Sequence, residues 1–391
     1  MNILNKKKII FVTATRADYG KLKSMILALQ SDNKFSTHVL VTGMHNLKLY
    51  GSTYTQIIKD KIKNVIRRKN QKLNDPMDKI LLNTVKLFSK TIKRLKPDLV
   101  VVHGDRVEPL ACSLTCCLNN IKIAHIEGGE ISGAVDEMLR HSISKLSHTH
   151  FVTNTIAKQR LIQMGEKTQN IFVVGSPDVD LILSKNLPTE ENLKKRYSIK
   201  YEKYAVALLH PVTTQSKDLQ KKNINIFFST IKESKHNFVV IYPNNDSGSK
   251  IIINHIKKLR DNNFRVIPSM RVEYYLSLLK YSKFIIGNSS SGIMEAPYYG
   301  IPTIDIGNRQ HKRAKIDSIH NISFDKKKIA NKIKTFKFGK KFKIDKYFGK
   351  GNSSQKFLKI LRMKSFWKIN NQKQFIDIKY NIKKKSINHE N

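Results

Sequence analysis

Two short stretches of the sequence place carboxylates directly after apolar runs. These are Val101-Val102-His103-Gly104-Asp105-Arg106 and Ala124-His125-Ile126-Glu127-Gly128-Gly129-Glu130, and Asp136 follows on the next predicted helix. Ligands of parallel α/β sheets bind at the carboxyl ends of strands, so polar residues at those ends predict a substrate site. Carboxylates that converge beside arginines are typical of acid–base chemistry. Asp105, Glu127 and Asp136 are therefore the candidate acid and base residues.

Other polar residues at the strand ends and near the following helices are open to a second interpretation. Arg16 and His45 follow the first two predicted strands and are candidates for binding a ligand. A helix cap or a surface ion pair explains Asp18, Glu130 and Glu137 equally well.

The second half of the chain carries a histidine and a serine-rich turn. His210 stands at a strand end that Pro211 terminates, and it is either a residue at the edge of a cleft or a hydrogen-bonded core histidine. Ser289 and Ser290 lie in a turn between a strand and a helix, where free amides suit a phosphate. Glu295 lies one helical turn further and suits hydrogen bonds from ribose hydroxyls. Taken alone, this turn is also an ordinary helix cap.

The sequence predicts neither a cofactor nor a metal. It has no Gly-x-Gly-x-x-Gly after the first strand, no Walker-type Gly-Lys-Ser/Thr loop and no metal-ligand spacing. Its three cysteines, Cys112, Cys116 and Cys117, fall within one predicted helix and are read as reduced, ordinary thiols.

These residues require a scaffold that brings many strand ends together. Apolar strands alternate with amphipathic helices from the strand at residues 8–15 to the one at 303–306, which predicts right-handed βαβ units. The α/β chain should form two doubly wound, Rossmann-like domains with a cleft between them. The predicted domains are 1–176, with the acid–base residues, and 177–363, which binds the nucleotide. The basic tail at 364–391 either packs on the first domain or is disordered.

The composition is strongly basic. The 391 residues include 72 Lys and Arg against 30 Asp and Glu, a formal net charge of +42. The lysines are scattered among asparagines and isoleucines, without a nucleic-acid-binding motif, which favours A/T-rich codon usage over a dedicated nucleic-acid site. With no run of eighteen apolar residues and only a short polar start, we expect a cytoplasmic protein without membrane insertion.

The motifs resemble those of the UDP-N-acetylglucosamine 2-epimerase family. The matching segments are Thr13 to Tyr19, Thr42 to His45, His103 to Arg106, His125 to Glu130, Asp136 to His141, His210 to Thr214, Tyr242 to Asp246, Gly287 to Gly292, Glu295 and Gly307 to Gln310. Arg-Ala-Asp-Tyr and Glu-Gly-Gly-Glu replace the Arg-Pro-Glu and Glu-Ala-Gly of the non-hydrolysing branch. This resemblance points to the hydrolysing branch, which makes N-acetylmannosamine for sialic-acid-type sugars.

The resemblance implies a fold shared with many glycosyltransferases, called GT-B. It also implies anti elimination of UDP to a 2-acetamidoglucal, hydration that inverts C2, and a homo-oligomer, either a dimer or a tetramer. The implied site residues are Asp105, Glu127 and Asp136 for acid and base, His210 at the diphosphate, Arg16, Ser289 and Ser290 for phosphates, Glu295 for ribose, Arg106, Asn244 and Arg309 for substrate, and His45 for the sugar.

Other functions remain open on the sequence alone. A relative of the same branch acts on a UDP-linked 2,4-diacetamido sugar or on a GDP-linked sugar, in legionaminic-type pathways. A GT-B glycosyltransferase is the alternative from another class. The segment Tyr347 to Ser354 departs from the Tyr-Gly-Asp-Gly-Asn usual in the family, which puts a role for that loop in doubt.

Overall fold

The computed structural model describes residues 6–132, 135–244, 246–310, 312–336, 339–374 and 376–377. Its first sheet is parallel throughout, and its strands lie in the spatial order 3-2-1-4-5-6-7. The strands are β1 (Lys7–Thr13), β2 (Phe35–Val41), β3 (Val65–Arg67), β4 (Leu99–His103), β5 (Ile123–Ile126), β6 (Thr149–Val152) and β7 (Ile171–Val173). The helices that follow these strands are α1 (Arg16–Gln30), α2 (Tyr54–Lys59), α3 (Met77–Leu95), α4 (Val107–Leu118), α5 (Val135–Leu146), α6 (Thr155–Gln163) and α7 (Pro177–Ile182).

The second sheet repeats this design with six parallel strands, in the order 10-9-8-11-12-13. Helix α8 (Glu190–Tyr197) precedes it. The strands are β8 (Ala205–Leu208), β9 (Phe238–Ile241), β10 (Phe264–Ile267), β11 (Ile285–Gly287), β12 (Thr303–Ile306) and β13 (Ile319–Ile322). The helices are α9 (Lys217–Glu233), α10 (Ser249–Ile256), α11 (Val272–Tyr281), α12 (Ser291–Met294) and α13 (Lys326–Phe336). The predicted class, two Rossmann-like α/β domains, is confirmed.

Each sheet is buried on both faces, as parallel sheets require. In β1, Ile9 and Phe11 pack into the core on one face, whereas Ile10 and Val12 pack into the core on the other. The second sheet likewise has a separate hydrophobic core on each face. Within the described residues, no helix is both long enough and apolar enough to cross a membrane.

The chain returns to the first domain earlier than the sequence predicts. Helices α14 (Ser353–Leu361) and α15 (Lys364–Trp367) place Phe357, Leu361 and Phe366 in the core of the first sheet. The predicted extent of the second domain, 177–363, is corrected accordingly, because the apolar face of α14 packs on α1 rather than on the second sheet. The start of the tail packs on the first domain, whereas residues 375 and 378–391 lie outside the described residues.

Other differences concern short elements. The edge strands β3 and β13 have only three and four residues, and their apolar signal is too brief to stand out in the sequence. The helix predicted over 291–299 is divided, since α12 ends at Met294 and a 3₁₀ turn covers Ala296–Tyr299. Pro297 has no N–H to continue an α-helix.

Candidate functional site

The two sheets face each other across a cavity of about 330 Å³, which we call the cleft. It lies at the carboxyl ends of strands from both domains, where a doubly wound fold binds its ligands. Eleven of the twelve predicted site residues line it, all except His45. Its charged lining is balanced, with six acidic and six basic residues: Asp18, Asp105, Glu127, Asp136, Asp178 and Glu295, and Arg16, Lys21, Arg106, Arg140, Arg309 and Arg313.

Asp105 is held as an anion by an arginine of its own domain. It follows β4, and its Oδ2 accepts a short hydrogen bond from Nη2 of Arg140, which α5 buries almost completely. Burial alone would raise the pKa of Asp105. The charges of Arg140 and Arg313 outweigh burial and lower that pKa to about 2. Asp105 is therefore ionised at neutral pH.

The pKa of Asp136 is shifted in the opposite direction. It lies in the first turn of α5, and its Oδ2 accepts a hydrogen bond from Nη2 of Arg309, 2.9 Å away in the second domain. Burial and the negative charge of Asp105 raise the pKa of Asp136, while Arg309 opposes the rise. Two neighbouring carboxylates with pKa values moved in opposite directions are the arrangement that acid–base chemistry uses.

Glu127 is buried directly after β5, and both of its oxygens are occupied. Its Oε2 is 3.0 Å from Nζ of Lys21 and 3.0 Å from Nε2 of His103, and its Oε1 accepts a short hydrogen bond from the Ser176 hydroxyl. Although burial would raise the pKa of Glu127, Lys21 and these hydrogen bonds hold it well below its ordinary value. An anion satisfied in this way binds and orients its neighbours.

Lys21 connects Glu127 to Asp178 and lies within the electrostatic reach of Glu295. Its Nζ lies 2.7 Å from Oδ2 of Asp178, and it is hydrogen-bonded at 3.7 Å to the sulfur of Met294 in the second domain. Glu295 follows, with its Oε2 buried and without a hydrogen-bond partner. Burial and the charge of Asp178 raise the pKa of Glu295 to about 8. This unsatisfied acceptor is available to a donor from a ligand.

His210 is fixed by its backbone and presents one ring nitrogen to the cleft. Its N–H and C=O are hydrogen-bonded to the side chain of Asn288, at 2.7 and 2.9 Å. Its Nδ1 accepts from the backbone N–H of Asn244 at 3.1 Å. Burial and the charge of Arg309 lower the pKa of His210 to about 3. The neutral ring therefore carries its proton on Nε2, a donor suited to a phosphate oxygen.

Arg16 and Arg106 of the cleft differ in whether carboxylates lie beside their guanidinium groups. Nε and Nη1 of Arg16 are buried without a hydrogen-bond partner, and burial lowers its pKa to about 10. Arg106 is flanked by carboxylates instead, 3.6 Å from Glu108 and 3.6 Å from Asp246 of the second domain. Arg16 is thus the cation more available to a ligand.

Ser289 and Ser290 lie between β11 and α12. The Ser289 hydroxyl accepts from the backbone N–H of Ser291 at 3.4 Å, and the Ser291 hydroxyl bonds to Tyr275. The turn lines the cleft, and Ser290, the residue before α12, makes no side-chain capping hydrogen bond, so the structure favours the ligand-facing alternative over an ordinary helix cap.

The prediction that His45 binds the sugar is wrong. His45 is fully buried behind the cleft, with Nε2 2.9 Å from the Thr13 hydroxyl and Nδ1 2.6 Å from the Thr53 hydroxyl. Burial lowers its pKa to about 4. Both ring nitrogens are used inside the domain, so this histidine supports the wall of the cleft.

A cap explains Asp18 and Glu137, which bind backbone N–H groups near the start of a helix, whereas Glu130 is neither a helix cap nor a surface residue. Asp18 accepts from the N–H groups of Ala14 and Thr15 in a capping box. Glu130 is buried on the Thr153 hydroxyl, and Glu137 accepts from the Ser132 N–H at 2.7 Å.

Sequence reasoning missed three charged residues of the cleft, Lys21, Asp178 and Arg313, whereas His103 and Arg140 lay within the matching motifs but received no role. Lys21 had a signal, because it lies on the stripe of α1 that also carries Leu22 and Met25, where a core helix is expected to be apolar. Arg313 had none, since it comes from an irregular segment after β12. Among the described residues, no group of three or more His, Cys, Asp or Glu is placed to hold a metal.

Comparisons with known proteins identify the family and agree with the fold. A family model for UDP-N-acetylglucosamine 2-epimerase matches residues 27–362. The UDP-N-acetylglucosamine 2-epimerase of Neisseria meningitidis serogroup B is 40% identical over 375 residues, 95% of this chain and 99% of that protein. The UDP-N,N'-diacetylbacillosamine 2-epimerase (hydrolyzing) of Legionella pneumophila is 32% identical over 361 residues, 91% of this chain and 96% of that protein. The crystal structure of Methanocaldococcus jannaschii UDP-GlcNAc 2-epimerase with UDP-GlcNAc and UDP has a TM-score of 0.77 at 22% identity, covering 90% of this chain and 99% of that one.

Proposed function

The chain belongs to the UDP-N-acetylglucosamine 2-epimerase family, and we propose that it is a hydrolysing enzyme that converts UDP-N-acetylglucosamine and water into N-acetylmannosamine and UDP. The product would serve the synthesis of sialic-acid-type sugars. A relative named as hydrolysing at 32% identity supports this branch, as do the Arg-Ala-Asp-Tyr and Glu-Gly-Gly-Glu motifs.

The observation that carries the proposal is the pair Asp105 and Asp136. They line one cleft, one with a pKa lowered to about 2 and the other with a raised pKa. In the first step, a carboxylate removes the C2 proton, the C1–O bond to the diphosphate breaks, and UDP leaves as the C1–C2 double bond of a 2-acetamidoglucal forms. In the second step, water adds at C1 and a proton returns to the opposite face of C2. Both steps need a base and an acid at the sugar, which these two residues supply.

Glu127 takes a different part in this scheme. Since Lys21, His103 and Ser176 occupy its oxygens, it holds the lysine and the histidine toward the reacting sugar. Lys21 and His103 then stabilise the negative charge that develops as UDP departs.

The nucleotide would bind across the second domain. Nε2–H of His210, the free guanidinium nitrogens of Arg16, and the turn at Ser289 and Ser290 serve the diphosphate. The buried Oε2 of Glu295 accepts from a ribose hydroxyl. Arg106, Asn244 and Arg309 complete the wall of the cleft.

Product analysis in deuterium oxide tests the reaction. The purified protein should release UDP and free N-acetylmannosamine from UDP-N-acetylglucosamine without any acceptor, with deuterium at C2 of the sugar. A free sugar that retains its original C2 hydrogen would refute the elimination. Formation of UDP-N-acetylmannosamine without release of UDP would place the chain in the non-hydrolysing branch instead.

A second donor is favoured by one specific observation, the name of the Legionella pneumophila relative. A UDP- or GDP-linked 2,4-diacetamido-trideoxy sugar would undergo the same chemistry at C1 and C2. A panel of nucleotide sugars compared by kcat/KM decides between the donors. A higher kcat/KM for UDP-N-acetylglucosamine supports the first proposal. A higher kcat/KM for the nucleotide-linked diacetamido sugar replaces it with the second.

A further inference from the structure

Among the described residues, three ion pairs join the two domains around the cleft, and one of them includes a candidate acid–base residue. Lys23 of α1 pairs with Glu273 of α11 at 2.9 Å, and Arg106 faces Asp246 at 3.6 Å. The third pair joins Asp136 to Arg309. The partner of Asp105, in contrast, is Arg140 of the same domain. Of this pair, Asp136 is the member whose direct ion-pair partner lies in the opposite domain.

Arg309 is anchored firmly within the second domain. Its Nη1 donates to the carbonyl oxygen of Asn288 at 3.2 Å, and its side chain is 10% exposed. Asn288 is also the residue whose side chain holds the backbone of His210. Because Arg309 and His210 share this anchor, the guanidinium moves with the phosphate-binding side of the cleft.

The charges that face Asp136 come from both domains. Asp105, Arg140 and Arg106 belong to the first domain, and Arg309 and Asp246 belong to the second. Of these groups, Arg309 forms the direct ion pair with Asp136, at 2.9 Å. Separation of the domains removes that contact, so the Asp136 carboxylate loses its direct ion-pair partner.

We propose that Arg309 is a positioning residue that couples closure of the domains to the proton-transfer step, by orienting the Asp136 carboxylate only in the closed cleft. The inference rests on the proposed function. An open cleft, which a nucleotide sugar needs for entry, leaves Asp136 without this partner. Closure returns Arg309 to Asp136, so the carboxylate is oriented only around a bound substrate.

The pH profile of kcat/KM tests this coupling. We first assign to Asp136 the inflection that Asp136→Asn removes. Arg309→Gln should move that inflection upward by about one pH unit, because an opposite charge at ion-pair distance lowers a carboxyl pKa by at least that much. Arg309→Lys keeps a cation and should restore most of the shift.

Lys23→Gln is the matched control, since it removes a cross-domain ion pair that does not reach Asp136. It should change KM while the inflection stays where it is in the unchanged protein. An Arg309→Gln inflection that does not move, or an equal shift in Lys23→Gln, would overturn the proposal.

A second measurement separates this inference from the proposed reaction. Carboxyl ¹³C NMR of Asp136 in the intact protein with UDP bound gives its pKa without turnover. A higher pKa in Arg309→Gln supports the positioning role even if no tested sugar is epimerised. An unchanged pKa refutes the role even if the epimerase activity is confirmed.

Discussion

At the scale of the residue, Glu127 shows how the site stores strain. The φ of Glu127 is +62°, in the left-handed region that favours glycine. For any other residue this conformation costs on the order of 1–3 kcal/mol. This turn of the backbone directs the carboxylate to Lys21, His103 and Ser176 together. The charged hydrogen bonds offset the strain. Glycine at this position would relax the backbone but remove the group on which all three partners converge.

Asp105→Asn gives the sharpest prediction at this scale. The amide keeps the size of the side chain but cannot exchange a proton as a carboxylate does, so kcat should fall roughly a hundred- to ten-thousand-fold. Binding of UDP should change little, because the nucleotide is expected to bind on the second domain. Turnover kinetics and calorimetric UDP titration measure the two effects.

Asp18→Asn is the control for that experiment. Asp18 also lines the cleft, but its oxygens cap α1 through Ala14 and Thr15. Its replacement should lower the melting temperature but leave the kcat of the folded protein nearly unchanged. A normal kcat in Asp105→Asn, or an equal loss in Asp18→Asn, would contradict the role given to Asp105.

At the scale of the element, the C-terminal helices complete the first domain. Asp180 of α7 caps α14, since its carboxylate accepts from the N–H groups of Ser353 and Ser354 at 2.8 Å. Just before α14, the Ser176 N–H donates to the carbonyl oxygen of Phe348 at 2.6 Å. The loop that departs from the family motif therefore supports the backbone of Ser176, a partner of Glu127.

Phe366→Ala tests the contribution of this return to the first domain. Phe366 is 2% exposed in the core of the first sheet, near Phe151 and Phe172. Truncation of a buried phenylalanine costs about 3–5 kcal/mol. Urea unfolding should show this loss, whereas Ile344→Ala, at a side chain that is 54% exposed, should have little effect. Equal stability of the two variants would show that the tail adds nothing to the first domain.

At the scale of the whole molecule, the net charge of the chain differs from the charge of the cleft lining. The chain carries +42, yet the cleft is lined by equal numbers of acidic and basic residues. The excess of lysine therefore belongs to the surface, where it attracts anions without selecting one. The predicted homo-oligomer and the absence of a specific nucleic-acid partner stay predictions.

Acid should destabilise the folded chain through its buried histidines. The pKa values of His45, His125 and His210 are lowered to about 4, 3 and 3 from an ordinary value of 6.5. Below pH 6.5, these histidines therefore bind protons in the unfolded chain but stay neutral in the folded chain. Stability is complete above pH 6.5 and falls as the pH drops toward 4, with roughly 1 kcal/mol lost per histidine by pH 5.5.

Melting temperatures between pH 7.5 and 5.5 measure this loss, in a range above the titration of most carboxylates. His45→Gln should flatten the slope, since His45 is fully buried and lies outside the cleft lining. A slope that is the same in the variant and in the unchanged protein would contradict this assignment.

The sequence by itself determined the alternation of strands and helices, the two parallel sheets and most of the polar residues at their ends. These features are local, because burial on both faces makes each parallel strand a short apolar run and leaves polar residues only where it stops. Asp105, Glu127, Asp136 and His210 could be found in this way.

Only the tertiary structure decided which partner each of those residues has. Arg309 meets Asp136, and α14 returns to α1, across most of the length of the chain, so no local pattern contains these contacts. His45 has the residue type and the strand-end position of a ligand, yet packing buried it on two threonines. Charge and burial set the pKa of each carboxylate, and both depend on groups that are distant in the sequence and meet only in the folded chain.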